Sequence, residues 1–283
     1  MIRDIAGRQN HSVKLARKLQ HKKHRRERGL LVCEGMDLLA AAVESGADIR
    51  EVLARRDVAG ALPRGLLEMT PGDADQKGAP DVGLCDPATL DFASSLGGSA
   101  DVVFMCAQPR RSLSDLDLGS GLTFYLDGVG DPGNVGTIVR SALAFGLAGV
   151  VCSPGTADPY GPKAMRAGMG AQFALPVVTE VSPEDLAARL TVLRDKGVAE
   201  PAMWVAEPCE GEDVRSAELT GAAIVVLGAE RTGPSGEWMR EKRLTIPQHR
   251  FESLNVAMAG TVLAYEWWRR QRAAKVANEE SVR

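Results

Sequence analysis

The sequence predicts an α/β protein of two domains, on three observations. Short apolar runs alternate with stretches of helical periodicity, which is typical of parallel sheets covered by helices. A segment of linker composition, 108–121, lies between two such series. The length, 283 residues, is long for one domain and sufficient for two. We therefore predict a first domain over 1–107 and a second over 122–283.

The composition is that of an ordinary globular protein and narrows the function classes. Hydrophobic residues make up 45% and charged residues 25%. No apolar run reaches the roughly 18 residues of a membrane span, and the opening MIRDIAGRQNHSVK lacks the apolar core of a signal peptide. The five cysteines are far apart and form no CxxC pair, which favours reduced thiols over disulfides or zinc. We therefore expect a cytoplasmic protein without a membrane partner or a metal.

The charges are unevenly distributed. The formal net charge is −3, which taken alone argues against a nucleic-acid partner. Residues 3–28, however, hold ten basic and two acidic side chains, and the rest of the chain is acidic. A solvated helix face gives such a pattern, but a run this dense favours a surface that faces phosphates. The side chains that we assign to this surface are Lys14, Lys22, Lys23, Arg25 and Arg26.

The first domain begins with the helix that carries these charges. Ser12 is its expected N-cap, and Val13, Ala16 and Leu19 mark a narrow apolar stripe along it. Residues 56–101 are rich in Gly, Pro and Asp and show weak periodicity. The remaining elements are predicted as a strand over 29–35, a helix over 36–46 and strands over 49–55 and 102–107.

The second domain is a more regular α/β series. Strands are predicted over 122–128, 148–153, 202–207, 222–228 and 243–247. Helices are predicted over 134–146, 163–169, 183–196 and 253–272. Apolar side chains recur at helical spacing in the last helix and are expected to form its buried face. These are Leu254, Met258, Thr261, Tyr265 and Trp268.

A glycine-rich loop at 128–133, GVGDPG, matches the G-x-G-x-x-G pattern between a strand and a helix. On that pattern alone, a dinucleotide-dependent oxidoreductase is an alternative. The acidic residue that binds the cofactor ribose about 20 residues further on is missing. Pro132 also lacks the backbone N–H that a phosphate requires. These two features disfavour a dinucleotide site.

The helix after this loop carries two polar residues of interest. Asn134 stands at its start, and Arg140 lies about 120° further around the helix axis. Because Ile138 and Val139 precede Arg140, we expect a partly buried guanidinium that pairs with a carboxylate or a phosphate. The alternative is an ion pair that only stabilises the fold.

Two further polar groups follow predicted strands of the second domain. Glu230 comes just after the strand IVVLG and before a glycine-containing turn, where α/β proteins place ligand contacts. Ser253 and Asn255 open the last helix. Ser253 is expected to cap that helix, and Asn255 is expected to present its amide to a ligand.

Three motifs, DGVGDPGNVGTIVRSA, VVLGAERTGPS and IPQHRFESLNVAMAG, together resemble those of the SpoU (TrmH-like) RNA ribose 2′-O-methyltransferases of the SPOUT superfamily. The resemblance in order and spacing covers roughly residues 122–272. NHSVKLARKLQHKKHRR and the pair Glu34-Gly35 resemble that family's L30e-like substrate-binding domain. DPYGPKAMRAGMGAQFALPV, at 158–177, resembles the segment between the first two motifs.

The resemblance implies a parallel sheet whose C-terminal segment forms a trefoil knot, beside a smaller N-terminal α/β domain. It implies a homodimer that methylates a ribose 2′-hydroxyl of structured RNA, with 23S ribosomal RNA favoured and S-adenosylmethionine as cofactor. The residues implied for the cofactor pocket are Leu227, Gly228, Ile246, Gln248 and Leu254. Those implied for catalysis are Asn134, Arg140, Glu230, Ser253 and Asn255.

The chain departs from the family pattern in two motifs. Arg231 replaces the second glycine of G-S-E-G-x-G, and Gln248 replaces a methionine in a loop, 246–253, that is about one residue shorter. These departures favour one alternative, a non-catalytic RNA-binding protein of the same fold. A second alternative is the same reaction on tRNA.

The mechanism expected from the resemblance does not use Arg140 as a base, since a guanidinium is a poor proton acceptor. We expect Arg140 to hold the target phosphate and stabilise the developing alkoxide. The proton would leave through Glu230, Ser253, a phosphate oxygen or water.

Overall fold

The structure is a computed structural model that describes residues 2–66, 79–96, 100–250 and 253–281. The chain forms two compact units. The N-terminal unit comprises Met1–Arg110 and Tyr160–Ala174. The C-terminal unit comprises Arg111–Pro159 and Leu175–Arg283.

The helices and strands alternate along most of the chain. Up to the first unit's last strand they are β1 (Ile2–Ile5), α1 (His11–Leu19), α2 (Lys22–Arg28), β2 (Leu30–Glu34), α3 (Met36–Glu44), β3 (Ile49–Arg55), β4 (Asp81–Cys85), α4 (Pro87–Ala93) and β5 (Val102–Ala107). They continue as β6 (Leu122–Asp127), α5 (Pro132–Ala144), β7 (Gly149–Cys152), α6 (Pro162–Ala167), α7 (Ala171–Ala174), β8 (Val177–Thr179), α8 (Pro183–Asp195), β9 (Ala202–Ala206), β10 (Glu212–Asp213), β11 (Ala223–Gly228), β12 (Lys242–Thr245) and α9 (Val256–Ser281).

The N-terminal unit has a mixed five-stranded sheet in the order β1-β4-β3-β5-β2. Strands β1, β4 and β3 are parallel, and β5 runs antiparallel to β3 and β2. The predicted strands at β2, β3 and β5 are confirmed, as is the buried stripe of Val13, Ala16 and Leu19 on α1. Strands β1 and β4 and helix α4 were not predicted.

The start of α1 differs from the prediction. The helix begins at His11, and the side chain of Asn10 accepts a hydrogen bond from the backbone N–H of Ser12 at 2.9 Å. Ser12 is therefore not the N-cap. Its hydroxyl instead donates to Glu51 of β3, so Ser12 ties the helix to the sheet.

Residues 160–174 lie in the N-terminal unit, although the sequence analysis placed this segment in the second domain. Helix α6 packs against β2, and α7 packs against α3. The segment therefore completes one side of the N-terminal unit, even though both chain segments that flank it belong to the other unit.

The buried carboxylate of Glu34 lies where α6 packs against β2. Its side chain is 0% exposed. Oε1 accepts from Gln20 Nε2 at 2.9 Å and from the backbone N–H and hydroxyl of Ser95 at 3.0 and 2.8 Å. Oε2 accepts from the hydroxyl of Ser94 at 2.8 Å. Nη1 of Arg166, on α6, lies 3.9 Å from Glu34 Oε1, so the carboxylate links α6 to the unit's sheet.

The C-terminal unit has a seven-stranded parallel sheet in the order β10-β12-β9-β11-β6-β7-β8. This confirms the parallel α/β fold predicted for the second half. From β6 the chain proceeds outward to β7 and β8, and it then returns to place β9 on the far side of β11. Such a change of direction opens a crevice at the carboxyl ends of the strands.

Helix α9 buries a different face from the one predicted. Leu254, Met258 and Tyr265 are 41%, 57% and 47% exposed, and Thr261 and Trp268 are only half-buried. The prediction of a buried Leu254–Trp268 face is therefore wrong. The residues that are buried instead are Ala257, Leu263, Ala264 and Trp267.

Gly260 explains this choice of face. At Gly260 a Cβ atom would lie 3.1 Å from Leu227 of β11 and 3.5 Å from Ile138 of α5. The side of α9 that carries Gly260 therefore approaches β11 and α5 closely, and Met258 and Tyr265 remain exposed on another side. In the part of the chain that the structure describes, no helix is long and apolar enough to cross a membrane.

Candidate functional site

A cavity of about 520 Å³ opens at the carboxyl ends of β9, β11 and β12. Its walls come from the residues that follow each of these strands and from the start of α9. The volume lies within the roughly 300–1,000 Å³ of small-molecule sites. All five residues expected to bind a cofactor line it, namely Leu227, Gly228, Ile246, Gln248 and Leu254.

The loop after β11 forms one wall as a tight turn. Ala229 and Gly233 exchange two backbone hydrogen bonds, of 3.2 and 2.9 Å. A Cβ at Gly228 would meet the backbone nitrogen of Pro234 at 2.2 Å, so only glycine fits there. Gly233 has φ +68°, whereas Arg231 does not adopt a positive φ. The turn therefore forms with an arginine where the family pattern has its second glycine.

Asp127 anchors this turn and was missed by the sequence analysis. It ends β6, is buried, and accepts hydrogen bonds from Ser235 N at 2.7 Å and from Trp238 Nε1 at 3.0 Å. The turn after β11 is thereby fixed to the neighbouring strand. The available signal was an acidic residue at the end of the apolar run LTFYLD.

Glu207 is a second missed residue. It follows β9, lines the cavity, and accepts a hydrogen bond from Arg243 Nη1 at 2.6 Å. The signal that could have identified Glu207 is its place at the carboxyl end of a predicted parallel strand.

Three residues from distant parts of the sequence form a hydrogen-bonded chain at the cavity. Asn255 Nδ2 donates to Asn134 Oδ1 at 3.1 Å, and Asn134 Nδ2 donates to Glu230 Oε1 at 2.7 Å. The backbone N–H of Gly130 donates to Glu230 Oε2 at 3.2 Å. The structure therefore brings together three of the five residues expected to act in catalysis. Glu230, Asn255 and Ser253 also line the cavity.

The carboxyl group of Glu230 is held ionised. Partial burial raises its pKa, but hydrogen bonds from Asn134 and from the backbone amides of Glu230, Gly130 and Asp131 outweigh this effect. The net result is a pKa below the ordinary value. Since both oxygens of Glu230 already accept hydrogen bonds, the group is a weak proton acceptor.

The cap of α9 differs from the prediction. Asn255 Oδ1 accepts from the backbone N–H groups of Ala257 and Met258 at 2.9 and 3.3 Å. Asn255, and not Ser253, is therefore the capping residue. The amide of Asn255 serves both the helix and Asn134, while Ser253 is exposed at the cavity.

Arg140 is exposed, so its predicted partial burial is wrong. The buried side of α5 includes Val135, Ile138, Val139 and Ala142, and the turn of the helix directs position 140 away from it. No hydrogen bond or ion pair joins Arg140 to another described residue. The guanidinium is therefore available to an external anion.

The glycine-rich loop is already occupied by the chain's own carboxylates. Asp131 accepts from the backbone N–H of Asn134 at 3.0 Å and caps α5, and Pro132 is the first residue of that helix. Glu230 takes the N–H of Gly130. A pyrophosphate at this helix start would meet negative charge, which counts further against the dinucleotide alternative.

The basic side chains of the first two helices divide into two groups. Lys14, Lys22, Lys23 and Arg26 are exposed. Arg25 is 4% exposed and donates to the carbonyl oxygens of Leu19 and Gln20 at 3.0 and 2.9 Å. Its predicted contact with phosphates is therefore wrong, because the guanidinium is used to cap the end of α1.

Among the described residues, no group of three or more His, Cys, Asp or Glu side chains is arranged to hold a metal ion. Cys33, Cys85, Cys106 and Cys152 are buried free thiols, and Cys209 is exposed. Burial raises the pKa of Cys85 to about 11.

Two family models match the chain. The SpoU rRNA Methylase family matches residues 121–265, and the MRM3-like substrate binding domain matches residues 10–70. A relative in Bacillus subtilis, the 23S rRNA (guanosine(2553)-2′-O)-methyltransferase RlmP, is 26% identical over 93% of this chain and 98% of its own. The 23S rRNA (uridine(2479)-2′-O)-methyltransferase of Streptomyces viridochromogenes is 27% identical over 92% and 89%.

Solved structures resemble the chain over both units. The SpoU methyltransferase AviRb from Streptomyces viridochromogenes in complex with AdoMet has a TM-score of 0.80 at 25% identity, covering 93% of this chain and 100% of that one. An AdoMet-bound rRNA methyltransferase from Sinorhizobium meliloti has a TM-score of 0.78 at 26% identity, covering 95% and 98%.

Proposed function

The chain belongs to the SpoU rRNA methylase family, and from this premise we propose that it transfers a methyl group from S-adenosylmethionine to a ribose 2′-hydroxyl of 23S ribosomal RNA. Relatives that match nearly its whole length are named for this reaction on 23S rRNA. One observation carries the proposal. A cavity of cofactor size adjoins the chain of Asn255, Asn134 and Glu230, so a methyl donor and a hydroxyl can meet there.

The cavity suits the proposed cofactor. Leu227, Ile246 and Leu254 supply apolar walls for an adenosyl group, and Gly228 also lines the cavity. Gln248 adds an enclosed Oε1 that has no hydrogen-bond partner among the described residues. S-adenosylmethionine, when bound, supplies a methyl group on a positively charged sulfur.

The chain's own residues must orient a weak nucleophile and relieve it of its proton. Arg140 is exposed and lacks a partner among the described residues, so it is suited to bind the phosphate beside the target ribose. Its guanidinium then stabilises negative charge that develops on the 2′-oxygen. A guanidinium is a poor proton acceptor, so Arg140 is not the base.

Glu230 is a positioning residue in this proposal. Its ionised carboxylate holds the amide of Asn134, and Asn134 in turn receives a hydrogen bond from Asn255. Because both oxygens of Glu230 are engaged, the substrate proton leaves through Ser253, a phosphate oxygen or water. Ser253 presents an exposed hydroxyl at the cavity.

The first domain selects the RNA in this proposal. We assign residues 1–107 to substrate binding, 108–121 to a linker and 122–283, apart from 160–174, to methyl transfer. The match of 10–70 to a substrate-binding family supports the first assignment. Lys14, Lys22, Lys23 and Arg26 are the proposed phosphate contacts. Buried free thiols and a ribosomal RNA substrate support a cytoplasmic location.

We also propose a homodimer that uses the exposed face of α9. Leu143, Met258, Val262 and Tyr265 are between 39% and 57% exposed. Phe145 packs edge-on against Tyr265, with ring centroids 5.7 Å apart, and so extends this apolar surface. Surfaces of this kind favour association. Light scattering is expected to give a dimer for the wild type and a monomer for Tyr265→Lys; an unchanged mass would reject this surface.

We propose a trefoil knot because of the path that the C-terminal segment takes. Strand β9 separates β12 from β11, yet α9, which follows β12, places Gly260 against Leu227 of β11. The chain must therefore return across the carboxyl ends of the strands after β12. An experimental structure that traces 246–255 tests whether this segment threads a loop.

The proposed reaction is tested with purified protein, labelled S-adenosylmethionine and separate 23S rRNA and tRNA substrates. We expect 2′-O-methylation of 23S rRNA that Arg140→Lys reduces without loss of RNA binding, since lysine lacks the forked geometry. If only tRNA were methylated, tRNA would replace 23S rRNA as the proposed substrate. RNA binding without methyl transfer to either RNA would favour the non-catalytic alternative.

A further inference from the structure

The cavity contains a polar atom that lacks a hydrogen-bond partner. Gln248 Oε1 is enclosed, and no donor among the described residues reaches it. An enclosed acceptor without a donor is destabilising, and folded proteins seldom retain one. An acceptor of this kind in a ligand cavity indicates that the ligand supplies an N–H or O–H group.

The other walls decide which part of the ligand Gln248 meets. The cavity around it includes the apolar side chains of Leu227, Ile246, Leu254 and Leu263, which favour a flat heteroaromatic ring. Glu230 also lines the cavity as an ionised carboxylate, and it is the stronger partner for a positively charged ammonium. The neutral Gln248 amide is therefore matched to an amino group on the ring.

We propose that Gln248 accepts a hydrogen bond from the exocyclic amino group of the cofactor's adenine and so selects adenine over other bases. This inference rests on the proposed cofactor. It adds the chemical group that a residue of this chain recognises.

The family pattern supplies a matched variant. Methionine usually stands at this position, and Gln248→Met keeps an unbranched side chain of similar length. A thioether is a weak acceptor. The substitution therefore removes the hydrogen bond with little change in the shape of the cavity.

The experiment measures the Kd of two ligands by calorimetry with the full chain. One is S-adenosylhomocysteine, and the other is its 6-deamino analogue, in which purine replaces adenine. The wild type is expected to bind S-adenosylhomocysteine about 10-fold more tightly than the analogue. Gln248→Met is expected to bind S-adenosylhomocysteine about 5–10-fold more weakly than the wild type does. For the analogue, the Kd values of the two proteins are expected to agree within about twofold.

A third ligand, methylthioadenosine, separates the two ends of the cofactor. It keeps the adenine but lacks the amino-acid group, so Gln248→Met is expected to weaken it as much as S-adenosylhomocysteine. If methylthioadenosine binds both proteins equally, the partner of Gln248 is the ammonium and the assignment to adenine is overturned.

The Tm of the ligand-free protein distinguishes a ligand-binding glutamine from a structural one, because loss of a structural glutamine would lower the Tm. Removing an unpartnered acceptor is expected to leave the Tm of the ligand-free protein unchanged or higher. A lower Tm, or an equal loss of affinity for all three ligands, would overturn the inference. If the wild type binds S-adenosylhomocysteine but does not discriminate, only the role of Gln248 is rejected. If the wild type binds none of the ligands, the proposed cofactor is rejected as well.

Discussion

Glu34 in the N-terminal unit and Glu230 in the C-terminal unit both lie at the carboxyl end of a strand, but their surroundings differ. All the hydrogen bonds of Glu34 come from side chains and backbone that enclose it completely. Glu230 is exposed on one side and lines a cavity. An enclosed carboxylate fixes a structure, whereas one at the edge of a cavity keeps a face for a ligand.

The largest expected effect is on stability, at the enclosed carboxylate. Glu34→Ala leaves the donor groups of Gln20, Ser94 and Ser95 without their acceptor, so we expect the free energy of unfolding to fall by about 3 kcal/mol or more. Urea denaturation measures this. Glu44→Ala, at an exposed glutamate of α3, is the control and should change it by less than about 0.5 kcal/mol. If Glu34→Ala lowered the free energy of unfolding as little as Glu44→Ala, the stabilising role of the enclosed carboxylate would be rejected.

The next effect is on activity, at the open carboxylate. Glu230→Gln removes the charge that holds Asn134, so we expect methyl transfer to fall about 100-fold through misplacement of that amide. The free energy of unfolding should change by less than about 1 kcal/mol, because the site is exposed. Glu237→Gln, at an exposed glutamate outside the cavity lining, is the control for activity. Equal activity of both variants would exclude a positioning role for Glu230.

The same contrast between enclosed and open groups applies to the arginines of α2. Arg25→Gln removes hydrogen bonds to two carbonyl oxygens and should lower the free energy of unfolding by about 1–3 kcal/mol. The triple variant Lys22→Gln, Lys23→Gln, Arg26→Gln should leave stability nearly unchanged. It should weaken RNA binding and flatten its dependence on salt concentration, since fewer counterions are released.

Filter binding of RNA across a salt series, combined with thermal unfolding, separates these two outcomes. Lys196→Gln, at an exposed lysine of the C-terminal unit, is a control for unspecific loss of charge. An unchanged salt slope in the triple variant would reject the basic helices as the phosphate-binding surface.

The smallest expected effect is the pH dependence that Glu230 confers. Its pKa is lowered in the folded protein, so its contribution to stability is complete above the ordinary value of 4.5 and is lost as the pH falls through the folded pKa. The Tm difference between wild type and Glu230→Gln should therefore shrink below about pH 4.5. The change is small because solvent screens an exposed group. A difference that grows on acidification would contradict the lowered pKa.

Apolar runs made much of the fold predictable. Strands β3 and β5 have the predicted bounds because β5 is buried at nearly every residue and β3 carries the buried run Val52, Leu53 and Ala54. Strand β1 was missed because IRDI is half polar and lies at a sheet edge, and β4 was missed because DVGLC lies in a region without periodicity. For α9, the spacing indicated one apolar face, and the chain covers a different one. That choice depends on close approach at Gly260, which is a tertiary contact.

The part of the site that the three family motifs supply was predictable from the sequence. Asn134, Glu230 and Asn255 were assigned by resemblance, and they meet because α5, the turn after β11 and the start of α9 converge. The exposure of Arg140 and the burial of Arg25 were not predictable, because each depends on which neighbouring turn packs beneath the side chain. Asp127 acts on backbone 108 residues away, a distance at which local patterns carry no information.

The ionised state of Glu230 has a consequence for turnover. A fixed negative charge at the edge of a cavity attracts a cation more than a neutral molecule of the same shape. With the cofactor proposed above, the incoming ligand carries a positive sulfur and the spent ligand, S-adenosylhomocysteine, carries a neutral one. The carboxylate that positions Asn134 therefore also favours exchange of product for fresh donor, so the protein is expected to resist inhibition by its own product.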